Sequence, residues 1–528
     1  MPSPSAIAWL SLLTCPHDPT EPNRIRRKDV YGCHMRAFVL LAVLALLLAA
    51  TASAKTIVGT ARNDFLVGTR SADSISGRAG DDRISVEYDG RDRVSCGPGV
   101  DTVTADQVDV VARDCELVSR RISRDTLRAP GGQHESEVEP DSFTFGHTSV
   151  ATFQVGRHFE GAADAIGFAV STDDGRTWRN GLLPGLTAAS APAGPSVRAS
   201  DPSVAYDAVH HVWLVTTLAV SADDTRLTVS RSPTGRTWSV PVIAAEAAPA
   251  GGSTDEEGIA FDKEWIACDN GASSPFAGHC YLVYSDVAHG DVIAVKTSTD
   301  GGLTWSAQVQ VSQTDGVGAI PAVQPTGKLV LVYLAQSRRI DSAVSSDGGA
   351  TFGAPVTISA VTAHPESGLR FFPLPSASAD PSGRVWASWH DCRFSPGCTS
   401  NSVVVATSTD GATWSAPAAV TSGRDAVLPA IGIDPTSGRA AIAYYAVRPT
   451  GIDFELTVAR AAGTGWGAPR RLTTRTMGVT WLPRTSSGRM LADYVSVDWA
   501  NGRPLVVWAL ASPPLGSTLH QAIYATRG

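Results

Sequence analysis

A chain of 528 residues is long enough for two or three domains. Only 18% of its residues are charged, with 49 Gly and 33 Pro, a make-up that suits short strands joined by many turns. The net charge of −8 argues against nucleic acid as the main partner.

The stretch MRAFVLLAVLALLLAATASA, Met35 to Ala54, has a basic start, an apolar run and an Ala52-Ser53-Ala54 cleavage site. It reads as a signal peptide, so the mature protein is expected to be secreted. The apolar run is too short for a stable membrane span. Residues 1–34 mix Pro, charge and two cysteines and fit no part of a signal. Translation is expected to start at Met35, with 1–34 a gene-start error; the alternative is an unusually long basic leader. Processing removes Cys15 and Cys33 and leaves three close pairs, Cys96/Cys115, Cys268/Cys280 and Cys392/Cys398. Each closes a short loop, as disulfides do in an oxidising compartment.

From Gly59 the text repeats every nine residues: GTARNDFLV, GTRSADSIS, GRAGDDRIS, a slipped copy, then CGPGVDTVT. Asp64, Asp73, Asp82, Asp92 and Asp101 recur at spacings of 9, 9, 10 and 9, each followed two residues later by an apolar residue. This resembles the RTX calcium-binding nonapeptide, G-G-x-G-x-D-x-U-x. The resemblance implies a parallel β-roll over 55–118, its aspartates holding calcium along one edge and its apolar residues packed inside. The second glycine of the motif is missing in nearly every copy, so a degenerate roll held by Cys96–Cys115 without calcium stands beside that reading. On the calcium-binding reading, calcium protects Gly59 to Glu116 and leaves the rest of the chain nearly unchanged. Residues 119–138 read as a linker.

Beyond it, a turn phrase returns six times. STDDGRTW, STDGGLTW and SSDGGATF end at Trp178, Trp305 and Phe352, and worn copies end at Trp238, Trp414 and Trp466. The aromatic closers lie 47 to 67 residues apart. Asp173, Asp300 and Asp347 suit hydrogen bonds from their own turn, and Gly175, Gly302 and Gly349 supply positive φ. The phrase resembles the Asp box, S-x-D-x-G-x-T-[WF], of sialidase-like β-propellers. Each repeat divides into four short strands, as a propeller blade does. An all-β propeller over 139–528 is expected, six- or seven-bladed, with seven favoured if an N-terminal strand completes the last blade.

The strand order puts the boxes on one face and the chemistry on the other. The resemblance implies an arginine clamp for a sugar carboxylate, a tyrosine nucleophile helped by a glutamate, and an aspartate acid/base. A neutral tyrosine suits an anionic sugar, and arginine forks suit carboxylates. The matching positions are Tyr494, Glu257 and Asp201 for catalysis, and Arg157, Arg198, Arg370 and Arg393 for binding. The family's opening arginine motif is absent, since Glu139 and Asp141 stand in its place. His390-Asp391-Cys392 reads as a disulfide-pinned rim loop. Two functions remain: an exo-glycoside hydrolase acting on a terminal anionic sugar, or a non-catalytic propeller that binds a glycan or surface partner.

Overall fold

A computed structural model describes residues 53–88, 90–248, 259–421, 423–460 and 465–528. The proposed upstream segment 1–34, the signal sequence through residue 52, and Glu257 lie outside the described residues. Among the described residues the regular structure is β-strand, and the helical elements are three-residue 3-10 turns such as Val287–His289. Among the described residues no helix is long and apolar enough to cross a membrane.

The nonapeptides build two parallel sheets. Thr56–Val58, Ser74–Ser76, Arg93–Ser95 and Val110–Val111 form one; Phe65–Val67, Arg83–Val86, Thr102–Ala105 and Leu117–Arg121 belong to the other. Each repeat is therefore half a coil, and a full coil brings Leu66 beside Ile84 and Ile75 beside Val94. The apolar residue two places after each aspartate points inward: Ile75, Ile84, Val94 and Val103 form the core together with Cys96–Cys115. So short a strand buries little by itself, and the stack supplies the core.

The remaining strands form antiparallel groups whose first strands pack side by side in a closed ring. In order these are Gly132–Phe145, Arg198–Asp207, Phe261–Cys268, Val309–Val323, Ser376–Ala379, Asp425–Ile433 and Ser496–Ala500, with the last returning to the first. This is a β-propeller arrangement. The long strand Val309–Val323 serves twice: its start pairs with Val292–Ser298, and its end with Leu329–Ala335. Each pair of neighbouring groups encloses its own apolar cluster, so the core is distributed around the ring. Phe454 and Trp508, from neighbouring groups, stack at 4.5 Å and 9° in the largest of these.

The ring closes through the N-terminal side of the chain. Ser496–Ala500, Arg503–Ala511 and Gln521–Arg527 make three strands, and Leu117–Arg121 pairs antiparallel with the third. That same strand pairs in parallel with Thr102–Ala105, so the second sheet of the roll runs unbroken into the last group. Ser119 Oγ and Thr526 Oγ1 share a hydrogen bond of 2.7 Å across the join, and Thr104 Oγ1 lies 2.9 Å from Thr474 Oγ1. The stretch expected to be a linker thus carries strand at both ends, because Leu117–Arg121 finds its partner in the last group and Gly132–Phe145 pairs with Thr148–His158.

The repeated turn has the chemistry its residues imply. Ser298 Oγ donates to Asp300 Oδ1 at 2.8 Å and accepts from Gly302 N at 2.9 Å. Asp300 accepts from Thr304 N at 2.9 Å and Thr304 Oγ1 at 2.6 Å. Asp173 and Asp347 repeat the pattern. Burial works against its charge, but these bonds hold Asp300 down at about 2. Gly302 has φ 79°, and a Cβ there would come within 2.9 Å of Leu214 in the preceding group. Each box is thereby pressed against the neighbouring sheet. Asp300→Ala should lower stability by roughly 0.5–3 kcal/mol through loss of this turn, measured as a shift in the denaturant midpoint.

Candidate active site

Five ring strands carry a β-bulge at matching depth, where pairing with the next strand slips. At these bulges Glu139, Asp201, Lys263, Gly318 and Leu428 have φ of 52°, 45°, 49°, 65° and 52°. Left-handed backbone is costly for any residue but glycine, and bulges of this kind re-aim side chains. Three of the five residues are ionisable, and they meet. Lys263 Nζ lies 2.9 Å from Asp201 Oδ1, 3.2 Å from Glu139 Oε1 and 2.7 Å from Asp493 Oδ2. Arg370 Nη1 pairs with Asp493 Oδ1, and Gln154 Nε2 donates to Glu139 Oε2 and, at 2.9 Å, to Ser200 Oγ.

Tyr494 stands half-buried beside this cluster. Its hydroxyl donates to the Pro202 carbonyl at 3.4 Å, its ring meets Trp265 edge-on at 4.9 Å, and Lys263 Nζ lies 5.8 Å from the ring centre. It borders a channel of about 580 Å³ whose lining includes Asp141, Asp493 and Tyr494 together with the apolar Pro321, Leu374 and Pro429. That volume lies in the usual range for small-molecule sites.

The protonation states diverge within a few ångströms. Burial opposes its charge, but Asp201, Asp493 and Glu139 together hold Lys263 well above the ordinary lysine range. Burial raises Asp493 and Asp201, yet Arg370 and Lys263 hold the first down and Lys263 the second. Glu139 goes the other way: burial outweighs Lys263, and neighbouring Asp201 and Asp493 add to the rise. Glu264 is fully buried, neither carboxyl oxygen has a side-chain hydrogen-bond partner, and burial pushes it well above the ordinary glutamate range. Burial, Glu139, Asp201 and Glu264 raise Tyr494. Carboxylates held down and carboxylates pushed up thus sit in one buried cluster beside the channel, the separation that acid–base chemistry uses.

The expected residues divide into two sets. Tyr494, Asp201 and Arg370 come together, and Arg157 adds its charge to the fields at Asp493 and Glu139 while donating to the Ala162 carbonyl at 2.8 Å. Arg198 is spent on the Gly161 carbonyl at 2.9 Å, and Arg393 pairs with Asp391 at 2.6 Å. The four arginines therefore do not form one clamp; Lys263 supplies the third charge. His390 is buried, lowered by burial to about 4, and accepts from Leu428 N, which leaves it inside the wall. Lys263 and Glu264 were missed. Their signal was the segment DKEW inside a channel strand, and the Xaa-Pro pairs Glu139-Pro140, Asp201-Pro202 and Leu428-Pro429 that mark equivalent bulges.

The roll aspartates form two columns rather than one edge, because each repeat is half a coil. Asp82 Oδ1 accepts from Asp64 N at 2.8 Å, Asp101 Oδ1 from Asp82 N at 2.7 Å, and Glu116 Oε2 from Asp101 N at 2.9 Å. On the other edge Asp92 Oδ1 accepts from Asp73 N at 2.6 Å and Asp109 Oδ1 from Asp92 N at 2.9 Å. Thr60 and Thr69 occupy the second oxygens of Asp64 and Asp73. The second oxygens of Asp82, Asp92 and Asp101 are buried and have no hydrogen-bond partner. Those three offer hard oxygen ligands of the kind calcium takes, and the fit is best there.

Residues 58–86 match the RTX calcium-binding nonapeptide repeat, which supports calcium binding in this region. No curated protein matches the chain. Similar solved structures include a protein of unknown function from Dyadobacter fermentans (17% identity, 65% of this chain and 97% of that one, TM-score 0.44). The Hadza microbial sialidase Hz136 matches at 17% identity, 59% of this chain and 64% of that one, TM-score 0.43. The α-L-arabinofuranosidase Arb93A of Fusarium graminearum matches at 13% identity, 78% and 97%, TM-score 0.41. The chain joins RTX-type repeats to a β-propeller.

Since Leu117–Arg121 belongs to both parts, calcium should slow proteolysis of the roll and also of the last propeller group, contrary to protection of the roll alone; limited proteolysis with calcium and with chelator measures this. A second outcome concerns Asp141, raised by burial to about 7 despite hydrogen bonds from Val204 and Ser203. Its folded value exceeds the ordinary 3.8, so its contribution to stability is complete below about pH 4 and is lost as pH rises through 7. Asp141→Asn should flatten that loss between pH 4 and pH 8 in denaturant titrations.

Proposed function

We propose that the chain is an exported, seven-bladed propeller that hydrolyses a terminal sugar of a glycan at the Tyr494 pocket. The convergence of Tyr494 with ionised Asp201 and proton-holding Glu139 carries this reading. In it, the Tyr494 oxygen bonds to the anomeric carbon as its proton passes to Asp201. The glycosidic C–O bond breaks, and the departing oxygen takes the proton of Glu139. Water then reverses the sequence: it gives a proton to Glu139, its oxygen displaces Tyr494, and Asp201 returns the phenol proton. Lys263 and Arg370 counter the charge that develops, and Arg370, at the mouth, offers its remaining N–H groups to an anionic sugar. A tyrosine nucleophile suits such a substrate because a carboxylate would repel it.

Export is supported by three disulfides and by calcium-binding repeats. Residues 35–54 are proposed as the signal, 1–34 as upstream of the true start, 55–118 as the roll and 139–528 as the propeller. A second reading, a non-catalytic glycan-binding module, is favoured by one observation: Arg157 and Arg198 are already bonded to backbone carbonyls.

Secreted protein should release fluorophore from a glycoside panel of sialosides, uronides and arabinosides. Tyr494→Phe should cut turnover of the active member at least about a hundredfold, the scale of a lost proton-transfer or nucleophilic group, while melting stays unchanged. No turnover by the unaltered protein supports the binding module instead.

A further inference from the structure

The segment from Val361 to Gly368 crosses the start of strand Asp425–Ile433, away from the roll and outside the Tyr494 pocket. Three donor atoms meet there. His364 Nδ1 lies 3.2 Å from Glu366 Oε1 and 3.7 Å from Asp425 Oδ2, and one ligand atom from each residue falls within 4.8 Å of the others. His364 and Glu366 flank Pro365. The proline fixes its own φ and biases His364 toward extended backbone, where side chains two apart share a side.

Asn401, fully buried, holds the arrangement. Its Oδ1 accepts from His364 N at 2.7 Å, and its Nδ2 donates to the His364 carbonyl at 2.8 Å and to Asp425 Oδ1 at 3.0 Å. Asn401 N adds a second bond to Asp425 Oδ1 at 2.9 Å. One oxygen of Asp425 is therefore committed, and the other faces the imidazole. Among the described residues no lysine or arginine pairs with Glu366 or Asp425, and His364 is their partner. Asp391, Asp453, Glu455 and Asp493, all buried, each have an arginine partner. His390, fully buried with Nε2 lacking a hydrogen-bond partner, also lies within the field of Asp425.

We propose that His364, Glu366 and Asp425 bind a divalent transition-metal ion of the zinc class, and that the ion fixes the segment leading to Arg370. One imidazole nitrogen with two carboxylate oxygens suits zinc, with a further position left to water. Calcium takes oxygen ligands alone, so this site is chemically distinct from the aspartate columns of the roll. Arg370 follows Glu366 by four residues and reaches Asp493, so the bound ion orders a residue of the charged pocket without touching it.

The test uses the full chain stripped with chelator. Calorimetric titration with zinc should give one site in the unaltered protein, weakened at least tenfold in His364→Ala and in the isosteric Glu366→Gln. Both variants should melt like the unaltered protein in chelator, since the His364 side chain is only half-buried and Glu366→Gln keeps its shape. Cobalt in place of zinc should give visible absorption bands that His364→Ala loses. Zinc should also slow amide exchange over residues 361–370. Equal zinc affinity in both variants, the mark of adventitious binding by other histidines, overturns the proposal. So does absence of binding by the unaltered protein, or full displacement of zinc by equimolar calcium.

Discussion

The whole molecule depends on one backbone pairing, that of Leu117–Arg121 with Gln521–Arg527. A ring of sheets has no single core to fall back on. Each interface buries its own cluster, so a gap at one interface exposes both faces beside it. Without the N-terminal strand the last group keeps three strands and loses the bond between Ser119 and Thr526. With it, the roll becomes an extension of the last sheet, and the two parts cannot come apart without breaking a hydrogen-bonded ladder. The boxes tighten the same ring from outside, each setting a glycine against the sheet before it: Gly302 on Leu214, Gly411 on Val330 and Gly175 on Leu505.

The charged pocket follows from that ring. Strands converging on an axis bring equivalent positions close together, and a bulge at each turns one side chain toward its neighbours. Burying Lys263 among three acids carries a desolvation cost, and buried ion clusters are weak contributors to net stability for that reason. What the cluster supplies is definition: Asp493 is held between Arg370 and Lys263, and Asp201 between the ammonium and the backbone N–H of Lys263. Glu139 and Glu264 beside them are pushed upward because water is excluded.

How much of this was legible in the chain depended on whether the cause was local. A box is a closed set of hydrogen bonds among eight residues, so Ser298, Asp300, Gly302 and Thr304 announce it without reference to the rest of the fold. The nine-residue beat announced the roll for the same reason, and the three disulfides joined cysteines already close in sequence. The pocket is not local. Tyr494, Asp201 and Arg370 could be placed at the ends of ring strands, but whether an arginine points to the axis or to a backbone carbonyl is decided by packing, and Arg198 and Arg393 went elsewhere. Lys263 was hidden because charge in DKEW looks the same on a solvated edge and in a channel. The two-column arrangement of the aspartates needed the coil length, 18 residues, which a nine-residue repeat does not state.

The closing pair also sets a timetable. Ser119 and Thr526 lie 407 residues apart, so a ribosome adding about 5–20 residues per second finishes the second partner roughly 20–80 s after the first. Throughout that interval the roll, made early and held by short-range contacts, presents an open strand edge to its surroundings, a template for pairing with any other chain. Arg120 and Arg121 at the end of that strand put positive charge on the waiting edge. The roll is thus a socket, and the seven-residue strand Gln521–Arg527 is the plug that fits it.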